Sequence, residues 1–304
     1  MKIICPLCSF TKGVLEKSKG KYKLYRCNKC ELVFVYPLPN ESELNKYYEK
    51  FNYSLGFESE NQIRKDSNKT LISLKYLMKT GKKLLDIGCG AGFFLDEARK
   101  KGFIVEGTDM SNEVIRYARD RLKLKVFRGN FNSINIDKLK KNRYDAITLI
   151  QFIEHITSPH RIIENVYSIL KPDGIICIVT PNINGWLYKI LKSEYNYLIP
   201  PEHVIYYSSK TLSKLLNFHK LKPIKVETWG YPDDMYRIIT KLVRGTLQSE
   251  IKTQIPSRDI MVTWEKRKES IRRKILNGLC DYTYPLLNIA QHGSMIEIYA
   301  KKIS

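Results

Sequence analysis

Between residues 83 and 229 the chain alternates short apolar runs with amphipathic stretches, and this alternation constrains the fold more than any other feature. Lys83–Ile87, Ile104–Thr108, Lys125–Arg128, Tyr144–Ile150, Gly174–Thr180 and Lys222–Trp229 read as strands. Phe93–Lys101, Asn112–Leu122, His160–Leu170 and Ser209–His219 carry helical spacing between them. Repeated strand–helix–strand units predict an α/β, doubly wound, mostly parallel sheet with helices on both faces. A last alternating run, Ser294–Ala300, predicts a half-buried seventh strand. The sheet has no need of residues 230–293, which read as an insert before that strand.

Seven cysteines are present, and four are regularly spaced. Cys5-Pro-Leu-Cys8 and Cys27-Asn-Lys-Cys30 are C-x2-C pairs separated by 18 residues, within the spacing of a four-cysteine zinc ribbon. Two disulfides would be the alternative, but bridges across two residues are strained and a reducing compartment opposes them. Four thiolates would close the coordination sphere, so the predicted Zn2+ is structural. Cys89, Cys177 and Cys280 are scattered and suit buried positions.

The predicted organisation is a ribbon at 1–37, a helical linker at 38–70, the sheet domain at 71–229 and 294–304, and a basic helical insert at 230–293. The linker's first helix starts at an Asn40-x-x-Glu43 capping pattern. Net charge is +21, with 52 Lys plus Arg against 31 Asp plus Glu. Lysine outnumbers arginine 37 to 15, so a solvated lysine surface and an anionic partner both fit the charge. Clustering favours the insert: Arg237–Ile275 holds eleven basic and four acidic residues among Ile, Leu, Val, Met and Trp. Such a stretch suits an anionic membrane surface, a phosphate backbone, or a lid helix with its lysines in water. No run approaches the ~18–20 apolar residues of a membrane span, and the cysteine motif follows Met1 too soon for a signal peptide. The expectation is a cytoplasmic protein, peripheral at the inner membrane face if the insert meets lipid.

The first strand of the sheet runs into Asp86-Ile-Gly88-Cys-Gly90-Ala-Gly92 and then a helix. Glycines there let the backbone turn sharply and approach a ligand. A dinucleotide fingerprint would need glycine where Phe93 stands. Asp86 would repel a pyrophosphate and favour a cationic ligand instead. Asp109 ends the next strand, 21 residues beyond Gly88, where a carboxylate can accept from both ribose hydroxyls.

An acidic residue before G-x-G-x-G, with a second closing strand two, resembles the class I S-adenosylmethionine-dependent methyltransferases. The resemblance implies a seven-stranded Rossmann-like sheet, with Gly88, Gly90 and Gly92 under the methionine part of S-adenosylmethionine. It places Asp109 on the ribose, Met110 against the adenine, and Asn130 and Phe131 at the adenine contacts, where an aspartate is common and Asn130 departs from the pattern. Gln151, in the Gln151-Phe-Ile-Glu154-His155 segment after strand four, joins the cofactor contacts. Leu170-Lys-Pro-Asp-Gly174 and the Pro200–Ser208 segment extend the match. With the ribbon added, the chain looks like the ribbon-bearing methyltransferases of polysaccharide and nucleotide-sugar pathways.

Methyl transfer is an in-line displacement in which placement of the nucleophile matters most. A hydroxyl acceptor also needs a proton acceptor, and neutral histidine suits pH 7. His155 and His203 fall at the carboxyl edge of the predicted sheet, where ligands bind in such folds. Glu202 stands beside His203, and Glu202 and Glu154 are candidates to orient a partner. The expected function is methyl transfer, chiefly to oxygen, of a small-molecule, glycan, nucleotide-sugar or lipid-linked saccharide acceptor. An RNA methyltransferase gripping nucleic acid through ribbon and insert is the second reading, weakened by the lack of an N-P-P-Y type motif for a flipped base. A binding protein with a silent methyltransferase fold is the third.

Overall fold

The computed structural model describes residues 3–40, 42–44, 47, 60–79, 81–129, 139, 143–231, 234, 237–239, 241–242 and 290–303. In chain order these form β1 (Gly13–Lys19), β2 (Tyr22–Cys27), β3 (Val33–Val35), α1 (Glu60–Met78), β4 (Lys83–Ile87) and α2 (Phe93–Lys100). Next come β5 (Ile104–Asp109), α3 (Asn112–Asp120), β6 (Val126–Arg128), β7 (Tyr144–Ile150), α4 (Pro159–Ile169), β8 (Leu170–Pro181) and α5 (Trp186–Leu191). The chain continues through β9 (Ile205–Tyr206), α6 (Ser209–Phe218), β10 (Leu221–Trp229) and β11 (Met295–Lys302). Local chemistry sets several boundaries. Asn40 and Glu43 exchange side-chain-to-amide bonds of 2.9 Å, the expected capping pair. Ser208 and Thr211 cap α6 reciprocally. Helix α1 is continuous across residues 70 and 71, where the sequence reading put the start of the sheet domain.

Seven strands make one sheet in the order β10-β11-β8-β7-β4-β5-β6. Pairing is parallel from β6 to β8, while β11 runs antiparallel between β8 and β10. The chain order reverses between β4 and β7, so the crevice outside their carboxyl ends is the place this topology offers a ligand. One face packs Leu71, Leu74, Phe94, Leu95, Ile115 and Ala118 from α1, α2 and α3. The other packs Ile162, Ile163, Val166, Leu212, Leu215 and Leu216 from α4 and α6. The final strand departs from expectation, because Met295 to Ala300 is buried on both faces rather than half-buried. It lies inside the sheet, and its one charged residue there is fully partnered. Glu297 accepts from Thr70 at 2.8 Å, from the Trp229 indole at 2.9 Å and from Tyr299.

The N-terminal strands form a second sheet, β1-β2-β3, whose fourth strand is β9, from much further along the chain. Val33 pairs Tyr206 and Phe34 pairs Ile205, antiparallel. Phe34 and Leu32 join the core of α4 and α6. Leu24, Val33 and Val35 pack instead with Ile183, Leu187 and Leu191 around α5. His160 on α4 reaches the Leu7 carbonyl at 2.8 Å and His219 at 2.9 Å, tying the first cysteine pair to both helices. An open groove of about 700 Å3 runs between these parts, lined by Ile4, Pro6, Tyr36, Ser158, His160 and Glu164; none of the candidate cofactor residues lines it. No helix among the described residues is long and apolar enough to cross a membrane.

Candidate functional site

Strand β4 delivers Asp86 and the glycine loop to the carboxyl edge, and β5 delivers Asp109 beside them. Gly88, Gly90 and Gly92 all have positive φ, at 77°, 52° and 85°. They face different surroundings. A Cβ on Gly88 would stand 2.4 Å from the Phe152 ring, and one on Gly92 would stand 2.6 Å from Leu124. A Cβ on Gly90 would meet nothing within 4 Å. Gly90 is therefore the glycine whose bare backbone borders open space, and its amide donates to Asp109 Oδ2 at 2.8 Å. The Ser111 amide donates to Asp109 Oδ1 at 2.9 Å, so both oxygens are oriented before any ligand arrives. Asp86 is buried, and Thr148 donates to its Oδ1 at 2.6 Å. Burial is the main cause that pushes the Asp86 carboxyl up to about 7, with the nearby Asp109 adding to it. A cationic ligand group would reverse that shift. Met110 lies exposed beside Asp109.

The facing half comes from the end of β7. Gln151 takes φ 51°, its amide donates to the Val179 carbonyl at 2.8 Å, and its side chain points to Met295 Sδ at 3.8 Å. A short 3-10 turn, Ile153–His155, then buries Glu154 and leaves His155 half-buried. Thr180 donates to Glu154 Oε2 at 3.0 Å, while the buried Oε1 has no hydrogen-bond partner among the described residues. Burial pushes the Glu154 carboxyl up to about 8. His203, also buried, stands edge-on to His155 with ring centres 4.8 Å apart. Each imidazole is held through Nδ1: His155 on the Glu202 carbonyl and His203 on the Tyr197 carbonyl, both at 2.9 Å. A carbonyl only accepts, so each Nδ1 carries a proton. The Glu202 carboxylate is buried and accepts from Tyr47 at 3.3 Å.

At the N-terminus the four ribbon cysteines converge, with Cys5 Sγ 3.5 Å from Cys30 Sγ and Cys8 Sγ 3.5 Å from Cys27 Sγ. All four sulfurs lie within 4.8 Å of one another, and none is in a disulfide. A tetrahedral ion with bonds of ~2.3 Å sets its sulfurs ~3.8 Å apart, so the cluster has the dimensions of a four-thiolate site.

The structure thus brings Asp86, Gly88, Gly90, Gly92, Asp109 and Met110 to one edge, with Gln151, Glu154 and His155 from the segment that follows the neighbouring parallel strand. Asn130 and Phe131 lie outside the described residues, as does the basic Trp264–Ile275 stretch of the insert. Sequence reasoning treated Glu202 as a side-chain partner, whereas its backbone carbonyl is what holds His155. It passed over Thr148, although a hydroxyl residue set between Ile147 and Leu149 was a readable signal. Tyr197 acts through its carbonyl and left no signal in the sequence.

The family model described as "Methyltransferase domain" matches residues 61–226. A protein named ubiquinone biosynthesis O-methyltransferase from Coxiella burnetii (strain RSA 493 / Nine Mile phase I) is 34% identical over 139 residues, covering 43% of this chain and 59% of the relative. One of the same name from Pasteurella multocida (strain Pm70) is 32% identical over 130 residues, covering 38% and 54%. The chain thus spans less than two thirds of these relatives' length. Among solved structures, a SAM-dependent methyltransferase from Archaeoglobus fulgidus shares the fold, with a TM-score of 0.50 at 21% identity over 83% of this chain and 100% of that one.

Proposed function

The chain belongs to the methyltransferase-domain family, and from that membership we propose that it transfers a methyl group from S-adenosylmethionine to an oxygen of a small-molecule acceptor. The observation that carries this reading is the cradle of Asp86, the open Gly90 backbone and the pre-oriented Asp109. When bound, S-adenosylmethionine supplies an electrophilic methyl on a sulfonium. Asp109 is placed to accept from the ribose hydroxyls. Asp86 offers negative charge to the cationic end of the ligand, through the loop or an intervening water. Met110 offers an apolar surface to the base. His155 and His203 are the candidate bases, and either would take the proton that an acceptor hydroxyl gives up as its oxygen bonds to the methyl carbon.

The names of the relatives support oxygen as the acceptor atom. The ribbon supports the narrower class of glycan, nucleotide-sugar or lipid-linked saccharide hydroxyls. Cys5, Cys8, Cys27 and Cys30 would hold one structural zinc, closed to chemistry by its four thiolates.

The test uses the purified chain, methyl-tritiated S-adenosylmethionine and extract of its own cells, with Asp109→Ala as control. Charge-assisted bonds are worth about 1.5–3 kcal/mol each, so losing both ribose contacts should weaken cofactor binding by about 100-fold or more in calorimetry, the chain staying folded. Unchanged affinity would remove Asp109 from the ribose site. Asp109-dependent label in the glycan, lipid or small-molecule fraction is the expected result. Label in RNA would instead make the chain a nucleic-acid methyltransferase, and absence of cofactor binding would make it a non-catalytic fold.

A further inference from the structure

Just past the end of β8, close backbone contacts hold one aromatic ring in the open. Asn182 is fully buried, and its side-chain amide donates to the Gly293 carbonyl at 2.8 Å and the Gln291 carbonyl at 3.3 Å. The Trp186 amide donates to the His292 carbonyl at 2.9 Å. A Cβ on Gly185 would stand 2.5 Å from the Gly293 carbonyl oxygen, and one on Gly293 would stand 2.6 Å from the Trp229 backbone. Neither position takes a side chain without moving that backbone, so residues 182–186 and 291–294 hold each other in place. In this fixed frame Trp186 is 45% exposed and meets the His292 ring edge-on, with ring centres 6.0 Å apart. His292 Nδ1 is buried with no hydrogen-bond partner among the described residues. A proton there would be sealed away from any acceptor, so the neutral ring carries it on Nε2. Asn184 and Gln291 are exposed amides on the same two segments, and α5 carries a single charged residue, Lys189.

We propose that Trp186 and His292 form a saccharide subsite of the acceptor site, the indole stacking on one face of a sugar ring and His292 Nε2–H donating to a sugar hydroxyl. The C–H face of a pyranose is apolar and weakly positive, which suits the negative face of an indole. Its hydroxyls call for neutral donors and acceptors, and an imidazole and two amides supply them. A phosphate would call for several cations and a cationic ligand for carboxylates, and Asn184, Gln291 and His292 offer neither. An indole already held in place loses little freedom when a ring settles on it. The subsite lies on the acceptor side of the carboxyl edge. Ile183 donates its amide to the Tyr207 carbonyl at 2.9 Å, four residues beyond His203. Met295, three residues beyond His292, meets the Gln151 side chain at 3.8 Å. A sugar held on Trp186 anchors the acceptor through a part that does not react, and that binding orients the part that does.

This inference deepens the methyl-transfer reading and rests on it for the acceptor's role, but sugar binding is measured without cofactor. The probe is a printed array of neutral and amino-sugar mono- and oligosaccharides, exposed to the full chain, and the strongest sugar is then titrated by calorimetry. Binding of at least one sugar is expected. Trp186→Ala should weaken it by about tenfold or more, the scale of one lost aromatic stack, while Trp186→Phe keeps most of it. His292→Phe, which keeps the ring and removes the donor, should weaken it by about threefold or more, one neutral hydrogen bond. Affinity for S-adenosylmethionine should stay within about twofold in all three variants, whose sites do not touch the cradle. Circular dichroism checks folding, and the wild-type array stands whether or not the variants fold. An array with no bound sugar, or equal affinity in a folded Trp186→Ala chain, would overturn the subsite. So would Trp186-dependent binding of free nucleosides in place of sugars. A chain that binds S-adenosylmethionine but no sugar loses the subsite alone. A chain that binds sugar through Trp186 but no S-adenosylmethionine keeps the subsite and loses the methyl-transfer reading.

Discussion

At position 88 a side chain would enter the Phe152 ring, while two residues later it would enter open space. The two glycines should therefore fail differently. Gly88→Ala combines a left-handed φ with overpacking and should cost roughly 2–4 kcal/mol of stability, read by denaturant unfolding. Gly90→Ala adds only the backbone strain, about 1 kcal/mol, but puts a methyl where the ligand passes. Its calorimetric affinity for S-adenosylmethionine should fall while its unfolding midpoint hardly moves. Asp86 makes a pH prediction at the same scale. Its folded pKa, about 7, lies above the ordinary carboxylate value, so between pH 4 and 7 the folded chain binds more protons than the unfolded one. Stability of the unliganded chain therefore falls as pH rises through this window. Glu154, raised to about 8, acts in the same direction. Asp86→Asn should flatten the melting temperature against pH, and a profile identical to wild type would refute the assignment. Cofactor affinity should move the opposite way, rising to about pH 7 as Asp86 ionises to meet a cationic ligand.

Among the elements, the coupling between β3 and β9 carries the most consequence. The ribbon's third strand pairs with Ile205–Tyr206, only two residues beyond His203. Val35 also donates its amide to the Val204 carbonyl at 2.9 Å. The Cys5–Cys30 cluster thus braces, through a few backbone bonds, the segment that positions His203 and the Glu202 carbonyl. Replacing Cys27 and Cys30 together by Ser should remove one zinc per chain, measured by mass spectrometry of the metal. Turnover should fall at least tenfold while S-adenosylmethionine affinity stays within a factor of two or three, because the glycine loop belongs to the other sheet. Metal content unchanged at one ion would refute the ribbon, and equal losses of affinity and turnover would refute the bracing.

For the whole molecule, the cradle sits where the strand order reverses, at the carboxyl edge of the sheet that both apolar cores share. Ligand held there should report on global unfolding. Saturation at 100 times Kd stabilises a folded chain by ~2.7 kcal/mol, roughly 4 °C in melting temperature for a chain of this size. Asp109→Ala should abolish the shift, and a wild-type chain with no shift at saturating cofactor would argue that the folded chain does not bind it.

Sequence alone determined the order and type of nearly every sheet element, because strand and helix periods, caps and glycine turns are local properties. Strand β4 and the start of α2 fall where the apolar run and the glycine loop put them. The four cysteines were legible for the same reason, since two C-x2-C turns leave few arrangements other than convergence. Tertiary structure alone decided which strands are neighbours. The burial of β11 on both faces, the capture of Ile205–Tyr206 by the ribbon and the holding of His155 by the Glu202 carbonyl join residues 47 to 173 positions apart. Pairings of that range leave no periodic trace in the chain. They are selected by which apolar faces and backbone donors remain to be buried once the local elements exist.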